Sequence, residues 1–162
     1  MKRIFSFGFA ALVLAVVALV LPTASAGTAH AAMVTPQTDT THCASLGSLI
    51  ESDKIYAGST LLGYLNIYYN SSNGYNCAET TSASATYGVS KFMFVDLFVC
   101  KQTSASSNCD LLGTSKPYDD TDSGSYAYYA GPVGVYGKGH CIGASAQIEG
   151  AAINTGGASH CG

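Results

Sequence analysis

Apolar and polar residues alternate most regularly between Thr60 and Asn70. Leu61, Gly63, Leu65, Ile67 and Tyr69 fall on one side of that run, and Leu62, Tyr64, Asn66 and Tyr68 on the other. This period of two marks a β-strand. Ser71-Ser72-Asn73-Gly74 predicts a turn, because Asn-Gly accepts positive φ, and Tyr75 to Thr81 predicts the returning arm of a hairpin. Lys91 to Cys100 is almost continuously apolar and predicts a central strand covered on both faces. Leu46 to Tyr56, Asp110 to Gly113 and Gly139 to Glu149 predict further strands; a helix at Ala44 to Glu51 is disfavoured by Gly47 and the serines around it. Ser82 to Ser90, Lys101 to Asn108 and the acidic Lys116 to Gly124 read as loops, and Ala151 to Gly162 as a Gly- and Ala-rich tail.

Ser125 to Ile142 is the stretch that organises this pattern. Tyr126, Tyr128 and Tyr129 load one strand with aromatic residues, which suit a pleated, half-buried surface. Gly131-Pro132 predicts a break, since proline gives no N–H to a ladder. Val133, Val135 and Tyr136 resume the strand, and Gly137 and Gly139 allow a second bend before Cys141. Short strands with turn signals between them, and no convincing helix, predict an all-β fold. The expectation is a small disulfide-stabilised sandwich or barrel of about seven antiparallel strands.

The N-terminus changes the picture of location. Lys2 and Arg3 precede an apolar run from Ile4 to Leu21, and Ala24-Ser25-Ala26 and Ala29-His30-Ala31 follow as cleavage sites. Residues 1–31 therefore read as a secretory signal peptide, 32–42 as a flexible lead-in, and 43–162 as a single β-domain. The transmembrane alternative fits the small-residue sites less well, so no membrane association is expected after cleavage. Beyond Ala31 the chain carries five lysines, no arginine and ten carboxylates. That balance offers no electrostatic footprint for nucleic acid.

Six cysteines, Cys43, Cys77, Cys100, Cys109, Cys141 and Cys161, imply a disulfide framework in an exported chain. Cys100 and Cys109 flank one polar loop between strand-like runs and are expected to pair. The spacing leaves the pairing of Cys43, Cys77, Cys141 and Cys161 open.

Two segments carry a resemblance: Asn70-Ser71-Ser72-Asn73-Gly74-Tyr75-Asn76-Cys77 and Tyr128-Tyr129-Ala130-Gly131-Pro132-Val133, with Gly139-His140-Cys141-Ile142 close behind. The chain resembles the spore-associated protein A family of filamentous actinobacteria, small exported β-rich proteins, over roughly Cys43 to Cys161. Cys43, Cys77, Cys141 and Cys161 match the family pattern. The family's Trp-Gly-Gly after Cys-Ile is replaced here by Gly143-Ala144-Ser145. The resemblance implies association with spores or the aerial cell surface, with spore or cell-wall components as partners, and no enzymatic chemistry.

Candidate chemistry is sparse. His42, His140 and His160 each precede a cysteine and would form a metal site only if those cysteines converged. The preferred reading points each imidazole outward, because neighbours on a strand face opposite ways. No metal and no cofactor are expected. Asp119-Asp120-Thr121-Asp122-Ser123-Gly124 places a glycine where a calcium loop has one, yet the closing position is Ala130, so a solvated turn is preferred. No Gly-x-Ser-x-Gly elbow occurs, and Glu51, Glu79, Glu149 and Asp96 define no particular glycosidase pair. Asp96, among Phe92, Phe94 and Phe98, is expected to meet a backbone amide or a lysine, since a lone buried carboxylate is costly. Tyr64, Tyr68, Tyr126 and Tyr128 are candidates for an exposed stripe that stacks on sugar rings, against the plainer reading that they cover sheet edges. The expected function is a non-enzymatic spore- or cell-surface protein with a structural or interaction role. The alternatives are a cell-wall glycan-binding module or a small protease inhibitor presenting Lys101 to Asn108.

Overall fold

The computed structural model describes residues 42–162; the signal-peptide reading and most of the lead-in lie outside the described residues. Eight strands form two antiparallel sheets. The strands are β1 (Ser48–Ala57), β2 (Thr60–Asn70), β3 (Tyr75–Ser82), β4 (Lys91–Val99), β5 (Asp119–Tyr126), β6 (Tyr129–Tyr136), β7 (Ile142–Ile148) and β8 (Ala151–Asn154). Sheet A has the order β1-β2-β3-β6 and sheet B the order β5-β4-β7-β8. The architecture is an all-β sandwich, the class the alternation predicts.

The core lies between the sheets. Ile55, Leu65, Ile67, Ala78, Val133 and Val135 of sheet A meet Met93, Val95, Leu97, Ile142, Ala144, Ala146 and Ile148 of sheet B. The β2–β3 hairpin turns where the sequence predicts: Asn70 O accepts from the backbone N–H of Asn73 and Gly74, and Gly74 takes φ 79°. Glu149 and Gly150, both at positive φ, make the two-residue turn from β7 to β8. Three disulfides tie the chain: Cys43–Cys77, Cys100–Cys109 and Cys141–Cys161. Among the described residues no helix is long and apolar enough to cross a membrane.

Five expectations are corrected. Asp110 to Gly113 forms no strand, only an isolated bridge between Leu111 and Cys100. The acidic run is β5 rather than a loop, and the final tail contains β8. The tyrosine-rich strand is interrupted at Ala127-Tyr128, whereas β6 runs straight through Gly131-Pro132. Proline is tolerated there because β6 is an edge strand with a register shift opposite Ala78 and Thr80. Last, β4 is central, flanked by β5 and β7, but only one of its faces is buried. Met93, Val95, Leu97 and Val99 are inside, while Phe92 is 44% exposed and Phe94, Asp96 and Phe98 are half-buried on the outer face.

The β5 correction has a physical cause. Asp120 and Asp122 stand opposite the core residues Leu97 and Val95, so their side chains share the inner face at the open end of the sandwich. There they accept backbone N–H groups of β6 that no strand pairs: Gly134 to Asp120 Oδ2 at 2.9 Å and Gly131 to Asp122 Oδ2 at 2.7 Å. Tyr136 N–H is taken by Pro117 O at 2.9 Å, and Pro132 has none to offer. The acidic residues thus close an edge that would otherwise recruit another strand. Asp122 also accepts the Tyr126 hydroxyl at 2.7 Å, which raises that hydroxyl's pKa.

A tyrosine-lined groove and a capped carboxylate on sheet A

The outer face of sheet A is set by the residues that alternate with the core. These are Tyr64, Asn66 and Tyr68 on β2, Cys77, Glu79 and Thr81 on β3, and Gly134 and Tyr136 on β6. A short 3₁₀ turn, Cys43–Ser45, lies over it and is bonded to β3 by Cys43–Cys77. Glu79 is 3% exposed beneath this cap. Its Oε2 accepts from His42 Nδ1 at 2.5 Å and from the Cys43 backbone N–H at 3.4 Å; the Tyr68 hydroxyl reaches Oε1 at 3.5 Å. The His42 ring also packs on Tyr129, with centroids 4.1 Å apart. A buried carboxylate surrounded by donors is held in place by them. Its charge acts in turn on Tyr68, whose hydroxyl pKa is raised by burial and then by Glu79. The expectation that His42 points to water is therefore corrected, and His42 belongs to the folded domain and not to a lead-in.

Beside the cap is a groove of about 300 Å³, lined by Leu46, Tyr68, Asn70, Asn73, Tyr75 and Pro132 among others. Tyr75 is 46% exposed, and its ring lies 5.5 Å from that of Tyr136 at a tilt of 59°. Asn70 spends its amide on the chain itself, donating to Leu46 O at 2.7 Å and accepting from the Ser72 N–H. That fixes the groove wall between the cap and the β2–β3 turn. An aromatic ring beside amides offers a flat apolar face together with hydrogen-bonding groups.

The four tyrosines singled out in the sequence do not form one stripe. Tyr64 and Tyr68 share the outer face of sheet A, but Tyr64 lines a different recess, with Leu61 and Ser82 to Ala85. Tyr126 ends β5 and packs on the core, and Tyr128 sits in the turn after it against Tyr87, 4.8 Å between centroids. Tyr68 alone of the four reaches the groove, where Tyr75 joins it. Alternation along one strand reveals Tyr64 and Tyr68 as a pair; the Tyr75–Tyr136 contact depends on β3–β6 pairing, which no local signal carries.

The other candidates are placed as follows. His160 bonds Glu51 on β1 through Nε2, so His42 and His160 serve different carboxylates. Asp53 lies beside Glu51, and its carboxyl is raised by burial and by that neighbour. Among the described residues no hydrogen-bond partner meets the buried His140 Nδ1. Among the described residues no group of three His, Cys, Asp or Glu side chains is placed to hold a metal ion. The Lys101 to Asn108 loop lies down along the C-terminal segment: Gln102 O accepts from Cys141 N–H at 2.8 Å, and Ser106 exchanges both backbone hydrogen bonds with Ala158. Among the described residues Asp96 meets no lysine, but the backbone N–H of Leu97 donates to its carboxylate, as expected, while its Oδ1 is buried without a hydrogen-bond partner. Burial first, then Asp119 and Asp120, push its carboxyl up to about 6.

No family model, no curated protein and no solved structure matches this chain.

Proposed function

We propose that this chain is an exported, non-enzymatic protein of the spore or cell surface that acts by binding, and that its groove on sheet A takes a sugar unit of a cell-wall glycan. The observation that carries this reading is the pairing of Tyr68 and Tyr75 with the exposed Asn73 in one groove of about 300 Å³. A pyranose has an apolar C–H face for a tyrosine ring and hydroxyls for amides. The signal-peptide pattern and the resemblance to spore-associated protein A supply the location. The three disulfides fit an oxidising compartment. The protease-inhibitor reading loses support, because Lys101 to Asn108 commits its backbone to the β7 side of the domain.

The test is co-sedimentation with purified cell-wall peptidoglycan and with isolated spores. The protein should be retained, and Tyr75→Ala should lower retention about fivefold to tenfold, the worth of one aromatic stacking contact. Its thermal midpoint should change little, since Tyr75 is 46% exposed. Unaltered retention of Tyr75→Ala and of Tyr136→Ala would sink the groove; no retention on either material would sink the surface role.

A further inference from the structure

Sheet B presents the opposite kind of outer face. Along β4, Phe92, Phe94, Asp96 and Phe98 point away from the core, and Phe98 lies against Gly143. Across from Asp96 stand Thr121 on β5 and Ser145 on β7, both uncharged. The remaining charges near this face are acidic or already engaged. Asp119 and Asp120 on β5 both repel the Asp96 carboxylate, and Lys116 pairs with Asp120 at 3.0 Å. Glu149 accepts the Phe92 N–H at 3.2 Å. Lys91, at the start of β4, is 6% exposed and donates its ammonium to Thr86 O, Val89 O and Ala127 O. Asp96 Oδ1 has no donor among the described residues.

We propose that the outer face of sheet B docks an extended segment of a partner protein through one lysine or arginine side chain seated on Asp96 between Phe94 and Phe98. Charge complementarity names the occupant. The face holds a carboxylate that no described cation pairs with, the chain has a net charge of −3, and a partner's cation would balance that charge. Phenyl rings on both sides favour a cation further, through their electron-rich faces. Geometry selects an extended segment. Phe94, Asp96 and Phe98 repeat every second residue, about 7 Å apart, which matches side chains on one side of another extended chain. Apolar residues two positions either side of the cation would then cover Phe94 and Phe98.

The experiment uses NMR titration of the disulfide-intact protein with two capped heptapeptides, one alternating valine with lysine and one with glutamine in place of lysine. The lysine peptide should shift the amide signals of β4 and its neighbours in β5 and β7, and the glutamine peptide should bind at least about tenfold more weakly. Asp96→Asn should lose at least about tenfold in affinity, Asp96→Glu should recover part of it, and Phe94→Ala should lose severalfold. Equal binding by wild type and Asp96→Asn would overturn the proposal, as would shifts confined to Asp119, Asp120 and Asp122 at the sandwich end. So would a dimer of this chain, detected by sedimentation, that buries Phe92 and excludes the peptide.

Discussion

Each sheet carries a carboxylate among aromatic rings on its outer face, and the two are treated in opposite ways. On sheet A, Glu79 is 3% exposed and is met by the His42 ring, the Cys43 backbone and the Tyr68 hydroxyl, under a cap fixed by Cys43–Cys77. On sheet B, Asp96 is less buried, yet one of its oxygens has no donor and its nearest charged neighbours are acidic. Depth of burial therefore does not rank the two. Supply of donors does: a carboxylate with donors on both oxygens is a tie, and one with an oxygen left unmet among like charges is a cost the rest of the sandwich carries.

The sharpest way to break the contrast is to release the cap. Converting both Cys43 and Cys77 to alanine should cost about 4 kcal/mol, because that bridge closes the longest loop, with a sequence separation of 34. The same change at Cys100 and Cys109, separated by 9, should cost about 1 kcal/mol less. Chemical denaturation compares the two double variants directly, and equal losses would show that the cap contributes nothing through chain closure.

Next comes Glu79→Ala, which leaves the donors of His42, Cys43 and Tyr68 unmet in a buried place. A loss of about 3 kcal/mol is expected. A loss below about 1 kcal/mol would mean that the donors find other partners and that Glu79 is no tie.

The smallest effect has the opposite sign. Asp96 is held near 6 in the folded state against 3.8 as its ordinary value. Between those two values the folded protein keeps a proton that the unfolded chain has released, so stability falls as pH rises through that window and then levels off. Asp96→Asn removes this penalty. It should be more stable than wild type by on the order of 1 kcal/mol at pH 7.5, a figure discounted for partial exposure, with the gain gone at pH 4. Urea denaturation at both pH values checks this. An equal loss at both would make Asp96 a structural acceptor like Glu79.

Much of the frame is legible along the chain. The alternation from Thr60 to Asn70 and the Asn73-Gly74 turn locate β2 and β3, because both signals are carried by neighbouring residues. Asp119 to Ser123 reads as a loop because its polar side chains serve β6 backbone groups, a partner distant in sequence. For the same reason only one of the groove's two tyrosines is legible in the chain. Tyr68 follows from its strand, while Tyr75 gains its place only where β3 meets β6 and where Leu46 closes the far wall.

By itself the sequence determined the period of the strands, the β2–β3 turn and a cysteine set suited to covalent ties. Each of these depends on local stereochemistry or on residue type. The tertiary structure decided which carboxylate would be satisfied. Glu79 lies on the face where the His42–Cys43 segment is bonded down, and Asp96 lies on the face where no described segment brings it a cation. That choice rests on which strands become neighbours, and strand pairing is a long-range property that no window of the chain contains.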